Sequence, residues 1–184
     1  MGYGTVAKLF HWLTVLAILV MIPVGMTMVG EFDRSIPEQR ALQDQLFILH
    51  KGLGAALVIF IAARIVWRLT HRPPPLPDSI TGIQRFAAEA THIGLYVLLV
   101  TMVVSGYVRT VTGGFPIEWL NSLGIPPLLD KNKEIEKVAL FIHETAVWLL
   151  IALILAHVGA ALMHGIIKKD GVFSRMWPQF GKGN

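Results

Sequence analysis

The sequence predicts an all-α protein, a four-helix transmembrane bundle. Two observations support this prediction. The 184-residue chain is 54% hydrophobic and only 15% charged, a balance that is unusual for a water-soluble globular protein. It also contains four apolar stretches close to the length of about 20 residues that the hydrocarbon core of a bilayer requires.

The four apolar stretches predict four membrane helices, at roughly 9–29, 46–67, 86–108 and 138–163. The first is too long for the apolar core of a typical signal peptide and has no small-residue cleavage site after it, so we expect it to be retained. The sequence contains no internal repeat. We therefore expect residues 1–184 to form a single integral membrane domain with a short basic C-terminal tail.

Two connectors differ in character. The proline-rich link HRPPPLPDSITG at 71–82 cannot be helical and predicts a short stiff connection. The stretch at 109–137 mixes Gly, Pro, aromatic and charged residues, and we expect it to form a longer loop on the membrane surface.

Charge predicts the orientation of the bundle. Four helices place both termini on one side, and that side with the 64–85 link carries nine of the sixteen lysines and arginines. The positive-inside rule then predicts cytoplasmic N- and C-termini in a bacterial inner membrane. We expect Arg64 and Arg68 to anchor the second helix at the inner surface. The basic residues form no run, so no nucleic-acid partner is predicted.

Four histidines fall into two pairs at matched depths. His50 and His143 lie near the outer ends of the second and fourth stretches, and His11 and His157 lie toward the inner ends of the first and fourth. Along one helix, His143 and His157 are about 21 Å apart and lie within about 40° of the same face. Intramembrane ionisable residues are costly and indicate function.

Paired imidazoles from facing helices are what axial coordination of a haem iron requires. We therefore predict two haems, the outer bound by His50 and His143 and the inner by His11 and His157. His92 fits the inner level too and stays an alternative to His11. The chain has no cysteine, which excludes disulfides, iron–sulfur clusters and covalent haem attachment through C-x-x-C-H.

Small residues follow two of these histidines in HKGLGAA and HVGAA. They would serve either the close approach of a flat macrocycle or ordinary helix packing. His164 lies on the same stripe of the fourth helix as His143 and His157, near the inner surface. It fits either a headgroup-level histidine or part of a quinone site.

The motifs FHWL, LHKG, HIGLY and above all HETAVWLLIALILAHVGAALMH resemble the bacterial cytochrome b561 family, which includes a superoxide oxidase. The resemblance covers nearly the whole chain. It implies two b-type haems in a four-helix bundle, with His11 and His157 on the inner iron and His50 and His143 on the outer one. It also implies that His164 lies near ubiquinone.

For function, the resemblance implies an oxidoreductase in which superoxide is oxidised at the outer haem and ubiquinone is reduced. The expected partners are superoxide, quinone and membrane lipid, and an oligomer is compatible with the sequence. No catalytic residue is assigned beyond the haem ligands. An anionic substrate requires basic residues near the outer haem, and the candidates are Lys51, Lys137, Arg34 and Arg40.

Two alternatives use the same histidines. The first is a cytochrome that oxidises quinol and passes electrons to a periplasmic partner protein. The second, from a different class, is a non-redox membrane metal carrier or transporter. Imidazoles also bind zinc and copper, but two histidines at each depth leave such a site short of ligands.

Overall fold

The fold is described by a computed structural model for residues 2–75, 80 and 82–177, and within these ranges it contains helices and no strand. The four long helices are α1 (Thr5–Met28), α2 (Pro37–Thr70), α3 (Gly82–Thr112) and α5 (Lys133–Leu162), with a short α4 (Glu118–Ser122) before α5. Each long helix has the length and composition to cross a membrane. The prediction of an all-α protein with four membrane-spanning helices is confirmed.

The helices extend beyond the predicted apolar stretches. α2 begins at Pro37 rather than near residue 46, with Glu38 in its first turn. The expected loop at 109–137 is shorter in the structure, because α3 continues to Thr112 and α5 starts at Lys133. Hydropathy marks only the part of a helix that lies in lipid, whereas the backbone hydrogen bonds continue into the headgroup region.

The start of α5 shows how a polar residue sets a helix boundary. The Asn132 side chain accepts hydrogen bonds from the backbone N–H groups of Glu134 and Ile135, at 3.0 and 3.1 Å. This N-cap satisfies two donors that have no partner within the helix. In the proline-rich link, residues 72–75 have no helical structure, while 76–79 and 81 lie outside the described residues.

The long helices pack so that α3 lies mainly against α5, and α2 lies against both α1 and α3. We call the end that holds the start of α1 and the end of α5 the terminal end, and the end that holds residues 29–36 and 113–132 the connector end. At the connector end, Ala55, Val111 and Ile117 form a small buried cluster. Large apolar side chains such as Leu19 (66% exposed) point outward, as lipid contact requires.

At the terminal end, α5 continues as a π-helix over Met163–Lys168. Lys169 adopts a left-handed conformation with φ 51°, and the chain turns back. The turn brings the C-terminal segment, residues 170–177, against α1, where the Trp12 indole donates a hydrogen bond to the Met176 carbonyl at 3.0 Å. The residues that follow lie outside the described range.

Candidate functional site

The first histidine pair lies at the connector end. The rings of His50 on α2 and His143 on α5 have centroids 6.3 Å apart and planes at 83°. Two imidazoles that bind one metal from opposite sides, each through a bond of about 2 Å, have ring centres roughly 6 Å apart. The spacing of this pair therefore fits a single metal atom between the two rings.

Hydrogen bonds orient the His143 ring. Its Nδ1 lies 3.1 Å from the Met102 carbonyl oxygen and 3.1 Å from Oγ of Ser105. The Ser105 hydroxyl donates to the Thr101 carbonyl at 2.5 Å, so a lone pair of Oγ is left to accept from Nδ1–H. With the proton on Nδ1, Nε2 is free to bind a metal, as in many metal sites where a ligating histidine donates to a carbonyl.

Two glycines on neighbouring helices lie directly against these rings. A Cβ atom on Gly25 of α1 would lie 2.9 Å from Cε1 of His50, and one on Gly106 of α3 would lie 3.0 Å from Cε1 of His143. Both distances are shorter than the roughly 3.5 to 4.0 Å at which carbon atoms pack. Only glycine therefore lets these backbones approach the rings so closely.

The glycines next to the histidines in sequence do not have this role. Gly52 lies near the Trp119 ring, Gly54 near Met21, and a Cβ on Gly159 would meet nothing within 4 Å. Of the two explanations for these small residues, helix packing therefore fits Gly52 and Gly54. Sequence spacing could not reveal Gly25 and Gly106, because they contact histidines on other helices.

The second histidine pair lies nearer the terminal end. His11 on α1 and His157 on α5 have ring centroids 6.2 Å apart, the same spacing as the first pair. His92 on α3 lies closer to His157, at 5.3 Å. Two rings on opposite sides of one metal fit the longer spacing better.

Arg64 of α2 connects three helices beside this second pair. Its guanidinium donates to the Phe10 carbonyl at 3.3 Å and to the Tyr96 hydroxyl at 3.3 Å, and it also bonds to the Thr14 hydroxyl. The expectation that Arg64 extends to the inner surface is therefore wrong. The side chain turns into the bundle because two backbone or hydroxyl acceptors on α1 and one on α3 solvate its charge there.

His164 lies in the π-helix at the terminal end and is 8% exposed. Its Nδ1 lies 2.5 Å from Oδ2 of Asp170, and Oδ1 of Asp170 accepts from the Val172 N–H at 3.2 Å. Partial burial opposes ionisation of Asp170, but the hydrogen bonds from His164 and Val172 hold the pKa of that carboxyl below its usual value. Sequence reasoning missed Asp170, because its contact with His164 depends on the turn at Lys169.

Three of the four cations expected to attract an anion already have acidic partners. The ion pairs are Lys51 with Glu118, Arg34 with Asp44, and Lys137 with Glu134. Arg40 is exposed. Arg109, which sequence reasoning missed, lies one helical turn after Ser105 on the face of α3 that contacts His143.

Hydrogen bonds join the segment around α4 to the part of α2 that immediately follows His50. Lys51 Nζ donates to the Pro116 carbonyl at 2.7 Å, and the Trp119 indole donates to the Gly52 carbonyl at 3.0 Å. A cavity of about 340 Å³ lies between this segment and the end of α3, lined in part by Tyr107 and Leu120. No histidine lines it, so the cavity is separate from both pairs.

Comparison with known proteins identifies the family of this chain. Residues 2–179 match a family described as prokaryotic cytochrome b561. The Escherichia coli (strain K12) protein named cytochrome b561 homolog 2 is 32% identical over 181 residues, which cover 95% of this chain and 90% of that protein. Cytochrome b561 homolog 1 of the same organism is 26% identical over 169 residues, covering 92% and 93%. The chain therefore belongs to the prokaryotic cytochrome b561 family and is a multi-pass bacterial membrane b-type cytochrome that transfers electrons.

Proposed function

We propose that this cytochrome binds two b-type haems in one integral membrane domain and transfers electrons from superoxide to ubiquinone. The observation that carries the proposal is the repeated histidine spacing. Two histidine pairs have ring centroids 6.3 and 6.2 Å apart, and α5 contributes one histidine to each pair. A single helix that supplies a ligand at two depths links two redox centres across the bilayer.

In this proposal, His50 and His143 hold the connector-end haem, and His11 and His157 hold the terminal-end haem. Each bound haem iron supplies one-electron redox chemistry. The protein residues fix the imidazoles: Met102 and Ser105 orient His143, and Gly25 and Gly106 leave room for the rings.

The proposed donor reacts at the connector end. There each of two superoxide ions loses one electron and leaves as molecular oxygen. A net positive potential near the connector-end histidines favours the approach of an anion. Arg109 contributes to that potential, because it lies one turn after Ser105 on the face of α3 that contacts His143.

The proposed acceptor is reduced at the terminal end. Ubiquinone takes up the two electrons and two protons to become ubiquinol. A histidine that hydrogen-bonds to a carboxylate is a common proton-transfer arrangement, and His164 with Asp170 supplies one, at 2.5 Å. This pair supports a quinone site near His164, with the termini and this end of the bundle facing the cytoplasm.

Stopped-flow mixing of the purified, oxidised cytochrome with superoxide tests this function. We expect reduction of haem at a rate near the diffusion limit, followed by reoxidation when ubiquinone is added. Absence of haem reduction by superoxide would refute the proposed donor. Haem reduction by ubiquinol, without any by superoxide, would instead support the cytochrome that passes electrons to a periplasmic partner.

The haem proposal itself is tested by a reduced-minus-oxidised absorption spectrum with haem counted against protein. We expect a low-spin b-type spectrum and two haems per chain. The metal-carrier alternative has less support. Within the described residues, no group of three or more His, Cys, Asp or Glu side chains could hold a metal ion, whereas zinc sites in proteins use three or four protein ligands.

A further inference from the structure

Arg109 lies on the face of α3 that contacts the connector-end histidines. It follows Ser105 by four residues and Met102 by seven, so the three share one side of the helix. Both Ser105 and Met102 contact His143. Arg109 is therefore the next residue along this face, toward the end of the helix.

The Arg109 guanidinium is in no ion pair among the described residues, and its buried Nε has no hydrogen-bond partner there. Its packed neighbour is the Phe115 ring, whose centroid lies 5.8 Å from Cζ. An aromatic face stabilises a cation but does not replace the hydrogen bonds of the buried nitrogen.

The other cations near this end differ from Arg109. Lys51, with only 13% of its side chain exposed, is neutralised by Glu118 at 3.0 Å. Arg34 and Lys137 are paired and largely exposed, with 53% and 70% of their side chains accessible. A cation that is partly buried and has no ion pair is costly unless an anion joins it, and Arg109 is such a cation among the described residues.

We propose that Arg109 is an anion-binding residue that holds an oxygen anion beside the histidine pair of His50 and His143. A guanidinium binds a carboxylate or a small oxyanion through charge-assisted hydrogen bonds. The anion has two potential sources. One is a propionate carboxylate of the connector-end haem, and the other is superoxide arriving from solution. The inference rests on the proposed function for both sources.

The test compares Arg109→Met and Arg109→Gln with the control Lys133→Gln. Lys133 lies at the same end, with 72% of its side chain exposed, and belongs to neither histidine pair. The first measurement is the circular-dichroism spectrum and yield of each variant, purified as the full haem-loaded chain. Because the guanidinium is in no ion pair among the described residues, we expect both Arg109 variants to fold as Lys133→Gln does. If both Arg109 variants misfold while Lys133→Gln folds, Arg109 has a structural role and the proposal is overturned.

The second measurement is haem retention and midpoint potential, with haem b and with its dimethyl ester, whose carboxylates are blocked. If Arg109 binds a propionate, Arg109→Met increases the dissociation constant of one haem at least tenfold and lowers its midpoint potential. The ester removes the difference between variant and unmodified protein, since it offers no carboxylate to lose.

The third measurement is the rate of haem reduction by superoxide at several salt concentrations. If Arg109 binds superoxide, Arg109→Gln leaves haem retention unchanged, but the second-order rate constant falls at least tenfold and depends less on salt. A rate loss of this size is within the range of electrostatic steering. If both Arg109 variants match Lys133→Gln in retention, potential and rate, the anion site does not exist.

These outcomes separate the anion site from the proposed function. If superoxide does not reduce the unmodified protein but Arg109→Met still weakens haem retention, the superoxide function fails and the anion site stands. If superoxide reduces the unmodified protein and the Arg109 variants behave as the control, only the anion site fails.

Discussion

Because Gly106 lies so close to His143, we predict that Gly106→Ala displaces the His143 ring and weakens haem binding at the connector end. The new Cβ would lie 3.0 Å from Cε1 and 3.3 Å from Nδ1 of the His143 ring. Since carbon atoms pack at about 3.5 to 4.0 Å, the ring must move by a few tenths of an ångström. The ring cannot move this far without disturbing its hydrogen bonds to Met102 and Ser105, both of which are 3.1 Å long.

Overpacking of this kind costs about 1 to 3 kcal/mol. At about 1.4 kcal/mol for each factor of ten, we expect the affinity for the connector-end haem to fall about 5- to 150-fold. The terminal-end haem should be retained, because Gly106 contacts only the His143 ring among the histidines. Gly25→Ala should act in the same way on His50, where the contact of 2.9 Å is slightly tighter.

The assay counts haem per chain after purification and records the low-spin absorption spectrum during a thermal ramp. Gly159→Ala is the matched control, because it lies two residues from His157 and its Cβ would meet nothing within 4 Å. Alanine is favoured over glycine in a helix by about 1 kcal/mol, so this variant should be at least as stable as the unmodified protein. The reasoning is refuted if Gly106→Ala and Gly25→Ala keep both haems with unchanged spectra and thermal stability.

Three further predictions concern the terminal end. His11→Ala should lose the terminal-end haem while His92→Ala keeps it, as counted by absorption spectroscopy, and the reverse result would make His92 the ligand. Arg64→Gln removes charge-assisted hydrogen bonds worth about 1.5 to 3 kcal/mol each, so circular dichroism should show a lower melting temperature, and an unchanged one would contradict the contacts. Because the pKa of Asp170 is lowered in the folded protein, its stabilisation is complete above the unfolded-state value of about 3.9 and is lost as the pH falls through the folded value. Tryptophan fluorescence should show this acid transition at the C-terminal segment, and an Asp170→Asn variant with the same transition would contradict the assignment.

Periodicity and hydropathy predicted the helices well and the sites only in part. Four apolar stretches were enough to predict four membrane-spanning helices, because lipid requires every backbone polar group to be satisfied within the segment. The helix ends were less well predicted. Asn132 and Pro37 set boundaries through capping and backbone geometry, which hydropathy does not measure.

The histidine pairs could be proposed from sequence because helical rise converts residue number into depth. Depth alone could not choose between His11 and His92 as partner of His157. That choice depends on how α1, α3 and α5 are rotated about their axes, and the spacings of 6.2 and 5.3 Å come from this packing.

The sequence by itself therefore determined that this protein lies in a lipid bilayer, how many helices span the membrane, and how deep along those helices the histidines lie. These properties follow from composition and from the fixed rise of a helix. Only the tertiary structure decided that Gly25 and Gly106 lie against the histidine rings and that Asp170 pairs with His164. It also decided that the Arg109 Nε is buried without a hydrogen-bond partner among the described residues. Each of these features depends on how residues from different helices, or from the two sides of a turn, pack together, and no single segment encodes that packing.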